Sequence, residues 1–242
     1  MTITELGNKF LRRTGNQIVS YPDPESLRHL RILENFKINK ILDVGGNVGG
    51  YGRSLMTLGY KGKLISFEPV SAAFQELEAR SKKHANWSVV KSAIGNTDGE
   101  IEINVSANKS LSSSIADMLP AHLENAPEAR YVSKEKVPIR KLDSIFDQYV
   151  ESGDNVFLKI DTQGYEKTVL DGAEKSLPKI KGIQVEMSLV PLYSGEMLFP
   201  DMLRHLTDKG YMMFDLGPVF TSPTTGQLLQ VDGMFFSTNA RH

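Results

Sequence analysis

The chain has 242 residues, with 28 Lys and Arg against 29 Asp and Glu, and no cysteine. A net charge of −1 without a long basic block gives no global electrostatic support for a nucleic-acid or membrane partner, and the lack of cysteine excludes disulfides, thiolate catalysis and cysteine-ligated metals. Apolar content of 40% over this length suits one α/β domain with a substantial core, and no early segment has the length of a signal or membrane-spanning stretch, so a cytoplasmic location is expected.

Residues 1–24 are polar and read as a weak helix followed by a turn at Pro22-Asp23-Pro24. Leu27, Leu30, Ile32, Leu33 and Phe36 then recur at roughly helical spacing, so Glu25 to Phe36 is expected as a helix; residues 1–36 together form an N-terminal helical leader to a single domain over 37–242. Ile38, Ile41, Leu42 and Val44 make the short apolar run of a strand covered on both faces. The glycine-rich turn Gly45, Gly46, Gly49, Gly50 follows, and then a helix that Gly59 ends. A strand, a glycine turn and a helix N-terminus make a nucleotide-type cofactor site.

The dinucleotide fingerprint G-x-G-x-x-G is broken here, because Asn47 stands where its middle glycine lets the backbone reach a pyrophosphate. Asp43, two residues before Gly45, is expected to point into the same crevice, where a carboxylate repels a pyrophosphate and suits a cation. Both features favour S-adenosylmethionine over NAD. Lys63 to Phe67 is the second strand, and Glu68 lies about twenty residues past the turn, the offset at which an acid meets ribose hydroxyls.

Val70 to Lys83 reads as a helix and Trp87 to Ile94 as the third strand. Glu100 to Val105 alternates as a half-exposed strand that opens an excursion beside the main sheet, an insertion at about 100–140. The serine-rich stretch 106–114 is a loop that either offers hydroxyls to a substrate or is simply mobile, 115–130 is an irregular helical segment suited to a lid, and Val137-Pro138-Ile139 is a short edge strand. Asn155 to Ile160 is the fourth strand, ended by Asp161; Tyr165 to Ser176 is a helix; Gly182 to Val185 is the fifth strand, ended by Glu186. A helix at Leu198 to Lys209 and a closing hairpin of Tyr211 to Leu216 and Gln227 to Ser237 complete the chain. Asp43, Glu68, Asp161 and Glu186 thus all end expected parallel strands, and ligands of doubly wound sheets sit beyond those ends.

The runs DVGGNVGGYG at 43–52, SFEP at 66–69, LKIDTQGYE at 158–166 and VE at 185–186 resemble, in order and spacing, the FkbM family of S-adenosylmethionine-dependent methyltransferases. The resemblance implies a class I methyltransferase fold, a Rossmann-like and mostly parallel sheet with an antiparallel C-terminal strand and helices on both faces. It also implies O-methylation of a small molecule, often a sugar or polyketide hydroxyl. Gly45, Asn47, Gly49, Asp43 and Glu68 are then expected at the cofactor, with Ser92 and Ala93 where adenine lies in such folds. Asp161 is expected to take the acceptor proton or orient its hydroxyl, and Glu186 to hold the acceptor. A divalent ion between these two acids is the less favoured alternative. His84, His122 and His205 are alternative bases, none with a partner visible in sequence. An NAD-dependent reductase, a non-catalytic S-adenosylmethionine-binding protein and a nucleic-acid methyltransferase, which would need a basic face and a base-stacking motif that the sequence lacks, are the rival readings, and the oligomeric state is open.

Overall fold

The computed structural model describes residues 22–239 together with Leu11 and Thr14, so most of the expected first helix lies outside the described residues. The chain enters through α1 (Pro24–Asn35), whose N-terminus is capped by the Asp23 carboxylate accepting from Ser26 N at 2.9 Å. Leu30, Ile32 and Leu33 form its buried side, as the spacing predicts.

A seven-stranded sheet forms the centre. It is built from β1 (Lys40–Val44), β2 (Lys63–Phe67), β3 (Trp87–Val90), β7 (Val156–Ile160), β8 (Ile180–Ser188), β9 (Tyr211–Thr221) and β10 (Leu228–Ser237), in the order β3-β2-β1-β7-β8-β10-β9. β3, β2, β1, β7 and β8 run parallel, and β10 lies antiparallel to both its neighbours. Successive residues of the central strands serve opposite faces: Leu42, Ile65 and Leu158 join one apolar core, and Ile41, Leu64 and Phe157 the other. Helices α2 (Gly50–Leu58), α3 (Ser71–Ser81), α5 (Leu142–Tyr149), α6 (Glu166–Asp171) and α7 (Phe199–Asp208) complete the two-sided α/β arrangement, with α4 (Pro120–Asn125) in the insertion.

The expected third strand, Trp87 to Ile94, is two strands. The backbone turns at Ser92, whose N–H bonds Val90 O at 3.1 Å, and β4 (Ala93–Gly95) leaves for a second sheet with β6 (Tyr131–Lys141) and β5 (Gly99–Ser106), in the order β4-β6-β5. β6 is therefore long and central rather than a short edge. Its Pro138 is tolerated because β4 pairs only Ile139 to Lys141, so no ladder partner faces the missing N–H. The expected helix Tyr165 to Ser176 is also cut short at Asp171, where Gly172 caps α6.

Two acids are displaced from their expected places. β8 runs on to Ser188, so Glu186 lies inside the strand, opposite Asp232 of β10, instead of at its end. Asp43 is the fourth of five buried residues in β1. The order of strands reverses between β1 and β7, and the crevice beyond Val44 and Ile160 is where such sheets bind ligands.

Candidate active site

At that switch point the chain folds back on itself tightly. Gly45 has φ +83°, and a Cβ there would stand 1.8 Å from the Asp161 carbonyl oxygen, so only glycine lets the β1 turn meet the end of β7. Asp161 N bonds Val44 O at 3.0 Å, and the N–H groups of Gly45 and Gly46 both reach Phe67 O, locking the ends of β1, β2 and β7 together.

A cavity of about 430 Å³ opens over these ends. Gly45, Asn47, Glu68, Ser92, Ala93, Asp161 and Glu186 all line it. Asp43 and Gly49 do not. Asp43 is fully buried beneath the turn, accepts from the Ser66 hydroxyl at 2.7 Å, and faces the Lys159 ammonium at 3.4 Å. Gly49 faces the side chains of Leu77 and Trp87. Asp43 therefore does not project into the crevice as the sequence suggests, because its carboxylate balances a buried lysine.

Glu68 follows β2 and organises the cavity's first half. Its two carboxylate oxygens accept from Asn47 N and Val70 N, each at 2.8 Å, so the glycine turn and the start of α3 are tied to one side chain. Burial raises its pKa to about 7 against the pull of those two N–H groups. Each oxygen keeps a free lone pair. Asn47, with φ 45°, also donates from its side chain to Ser110 O at 2.9 Å, which draws the serine-rich loop down over the turn. Part of that loop bonds inward, Ser106 Oγ donating to Asn108 Oδ1 at 2.7 Å, Asn108 Nδ2 to Ser112 Oγ at 2.9 Å and Ser114 Oγ to Gln163 O at 2.6 Å, while Ser110, Ser112 and Ser113 line the cavity. Ser92 likewise spends its hydroxyl on backbone carbonyls. Phe67, Val70, Ile94 and Ile103 give this half an apolar wall.

The second half is a network of side chains from four separate segments. Gln163 sits at φ 57° in the turn after β7. Its amide donates to Asp161 Oδ1 at 2.9 Å and to Glu186 Oε2 at 2.8 Å, and its carbonyl accepts from Tyr193 OH at 2.6 Å. The neighbouring Gly164 has φ +93°, and a Cβ there would press to 2.4 Å on Tyr193 Cβ, so this turn also requires glycine. Beneath the turn the Glu166 carboxylate accepts from Thr162 N at 2.9 Å and Gly164 N at 3.1 Å, and burial raises its pKa to about 7. Gln230 of β10 adds a second bond to Glu186 Oε2 at 2.9 Å.

Two charges in this half are fixed by their surroundings. Burial first, then the carboxylates of Asp161 and Asp232, push Glu186 well above the usual carboxylate range. Burial opposes the charge on Lys159, but Asp161 at 3.2 Å, Asp43 and Asp232 outweigh it and hold the ammonium's pKa above its usual value. Lys159 escaped notice in the sequence, although a lysine in the apolar run NVFLKI needs a buried carboxylate, and its register partner is Asp43. Tyr193 and Gln230 carried no such signal, since the long-range packing alone brings them here. His122 of α4 lines the cavity, whereas His84 and His205 do not. Among the described residues no group of three or more His, Asp or Glu side chains is placed to hold a metal ion, and an N–H donor stands between Asp161 and Glu186.

The sheet order with its one reversed strand and the rim of residues beyond β1, β2 and β7 define a class I methyltransferase fold. The chain belongs to the FkbM methyltransferase family: the model of the Methyltransferase FkbM domain matches residues 43–213. It is similar to the 2-O-methyltransferase NoeI of Sinorhizobium fredii (strain NBRC 101917 / NGR234), 29% identical over 164 residues that cover 65% of this chain and 66% of that protein, just under two thirds of its length. Among solved structures, methyltransferase FkbM from Methylobacillus flagellatus KT matches with a TM-score of 0.49 and 14% identity over 81% of this chain and 43% of that one. Magnesium protoporphyrin IX methyltransferase (ChlM) from Synechocystis PCC 6803, solved with bound S-adenosylmethionine, matches at a TM-score of 0.47 and 9% identity over 98% of each chain.

Proposed function

We propose that the protein is an S-adenosylmethionine-dependent O-methyltransferase whose acceptor is a hydroxyl of a small, carbohydrate-like molecule. The observation that carries this is the charge of the cavity wall. Asp161 and Glu128 line it together with Glu68 and Glu186, whose charged forms burial disfavours, and no lysine or arginine does among the described residues. Such a wall suits a cofactor with an ammonium and a sulfonium, and repels the pyrophosphate of a dinucleotide. The reductase reading loses its ground there. The relationship to a 2-O-methyltransferase supports a hydroxyl acceptor.

The residues present fit the cofactor. Glu68 has a free lone pair on each oxygen for a vicinal diol, and the apolar wall beside Ala93 and Ile94 is suited to a base. When bound, S-adenosylmethionine supplies an electrophilic methyl group. The protein's own task is then alignment, which is worth roughly 7–11 kcal/mol, and removal of the hydroxyl proton. Asp161 performs the second. Gln163 bonds one of its oxygens and Lys159 the other, which holds a carboxylate that lines the cavity. Glu186, whose charged form burial disfavours and which two amides hold in place, is suited to meet the acceptor through a hydrogen bond.

Calorimetric titration of S-adenosylmethionine and of NADH into the purified protein tests the reading. S-adenosylmethionine is expected to bind and NADH to give no heat of binding. Binding of NADH, or of neither, overturns it.

A further inference from the structure

His122 is only 3% exposed, yet its Nδ1 has no hydrogen-bond partner. The ring packs edge-on to Tyr193 at 5.0 Å between centroids and tilted against Phe220 at 5.5 Å, neighbours that offer its nitrogens nothing. Its place is fixed. Leu119 N, at the start of α4, bonds Leu192 O at 2.8 Å, and Met118 forms a bridge with Tyr193. A buried imidazole nitrogen left unpaired costs about 1–3 kcal/mol, and a phenylalanine would pack this spot without that cost. Native structures carry few such groups, and they call for a cause. Nδ1 itself is closed off, so it is the rest of the ring that can meet a ligand: His122 lines the same cavity as Asp161. It also touches Tyr193, which holds Gln163, which in turn holds Asp161 and Glu186.

We propose that His122 is the residue that reads the acceptor, through a hydrogen bond to a second hydroxyl of a polyhydroxylated ring whose first hydroxyl lies at Asp161. This inference rests on the cavity being the methyl-transfer site. A hydroxyl both donates and accepts, so it can bond the cavity side of the imidazole in either tautomer. Burial holds the His122 pKa below the usual imidazole value, against Glu128, so the ring is neutral and discriminates by hydrogen bonding instead of charge. Phe220 and Val219 beside it on β9 present an apolar surface to the flat face of such a ring. The acceptor is thus specified as two hydroxyls on one edge and an apolar face, and a flat aromatic phenol lacks the second hydroxyl.

Saturation-transfer NMR on the full chain, saturated with S-adenosylhomocysteine and probed with a panel of methyl pyranosides, tests this. At least one pyranoside is expected to receive saturation from the wild type and to shift the His122 ring nitrogen resonances. His122→Phe is expected to weaken that pyranoside at least tenfold, while His122→Gln, which keeps a donor and an acceptor, retains part of the affinity. Both variants should bind S-adenosylhomocysteine within about twofold of wild type, which also reports that they fold. Equal pyranoside binding by His122→Phe overturns the proposal, as does a wild type that binds S-adenosylhomocysteine but no pyranoside. If the wild type fails to bind S-adenosylhomocysteine, the methyl-transfer reading itself has failed and this inference falls with it.

Discussion

The two halves of the cavity are built by different means. The half at β1 and β2 is mostly backbone: a glycine turn, three strand ends tied by main-chain bonds, and one carboxylate, Glu68, that gathers two N–H groups. The half at β7 and β8 is mostly side chain. Gln163, Tyr193, Glu186 and Gln230 come from four segments and meet through bonds of 2.6 to 2.9 Å. A backbone site tolerates exchange of its wall residues and keeps its shape. A side-chain network is a set of positions that can each be altered, and that is where acceptor choice can diversify over a constant cofactor site.

If this division holds, damage to the second half removes turnover and spares the cofactor. The largest effect is expected from Asp161→Asn, which keeps the shape and the contact with Gln163 but removes the base. Turnover should fall by about 10²–10⁴, while S-adenosylmethionine affinity, read by calorimetry, stays near wild type. A variant that turns over normally would move the proton acceptor elsewhere in the network. A variant that loses the cofactor instead would erase the distinction between the halves.

The same division explains what could be read from the chain. The fold was legible because the parallel strands of the main sheet carry apolar runs and several of the turns a glycine, and those are local signals. Glu68 was reached by counting from the glycine turn, Asp161 as the end of an apolar run, and Ser92 and Ala93 through the family resemblance; all four line the cavity. The two displaced acids were misread because of pairing that local pattern does not specify. Asp43 looked like a rim acid because nothing in sequence joins it to Lys159, and that contact exists only through the β1–β7 register. Glu186 looked like a strand end because the apolar run stops at Val185, whereas antiparallel pairing with β10 carries β8 three residues further. The serines of 106–114 read either as substrate hydroxyls or as a mobile loop; Ser106 and Asn108 bond within the loop, while Ser110, Ser112 and Ser113 line the cavity.

Lys159 is the hinge between the halves, since it touches the buried Asp43 of the first and the Asp161 of the second. Lys159→Met keeps the volume and removes the cation, leaving Asp43 fully buried with only the Ser66 hydroxyl against its charge. Removing one partner of a buried pair costs about 3–5 kcal/mol, so chemical denaturation should show a loss of that order. A loss under about 1 kcal/mol, the range of exposed pairs, would mean that Asp43 is protonated in the folded protein and that no ion pair joins the halves. For the same reason Asp43→Ala reports on folding before it reports on the cofactor.

The smallest effect is the most specific to the first half. Burial raises the Glu68 pKa to about 7 from 4.5, so the folded protein holds a proton that the unfolded chain has released. The group's contribution to stability is therefore fully present below about pH 4.5 and is lost as pH rises to about 7. Cofactor binding has the opposite sign. The free lone pairs of Glu68 serve a diol best when the carboxylate is ionised, so affinity for S-adenosylmethionine should rise about tenfold between pH 6 and pH 8 while the stability of the free protein declines. Glu166, also raised to about 7, adds the same slope to stability but lies under the Thr162–Gly164 turn, outside the cavity wall. Denaturation alone cannot separate the two acids, and titration calorimetry can. Glu68→Gln should flatten the pH dependence of binding and Glu166→Gln should leave it intact; the reverse pattern would put the diol contact on the side-chain half of the cavity and dissolve the contrast between them.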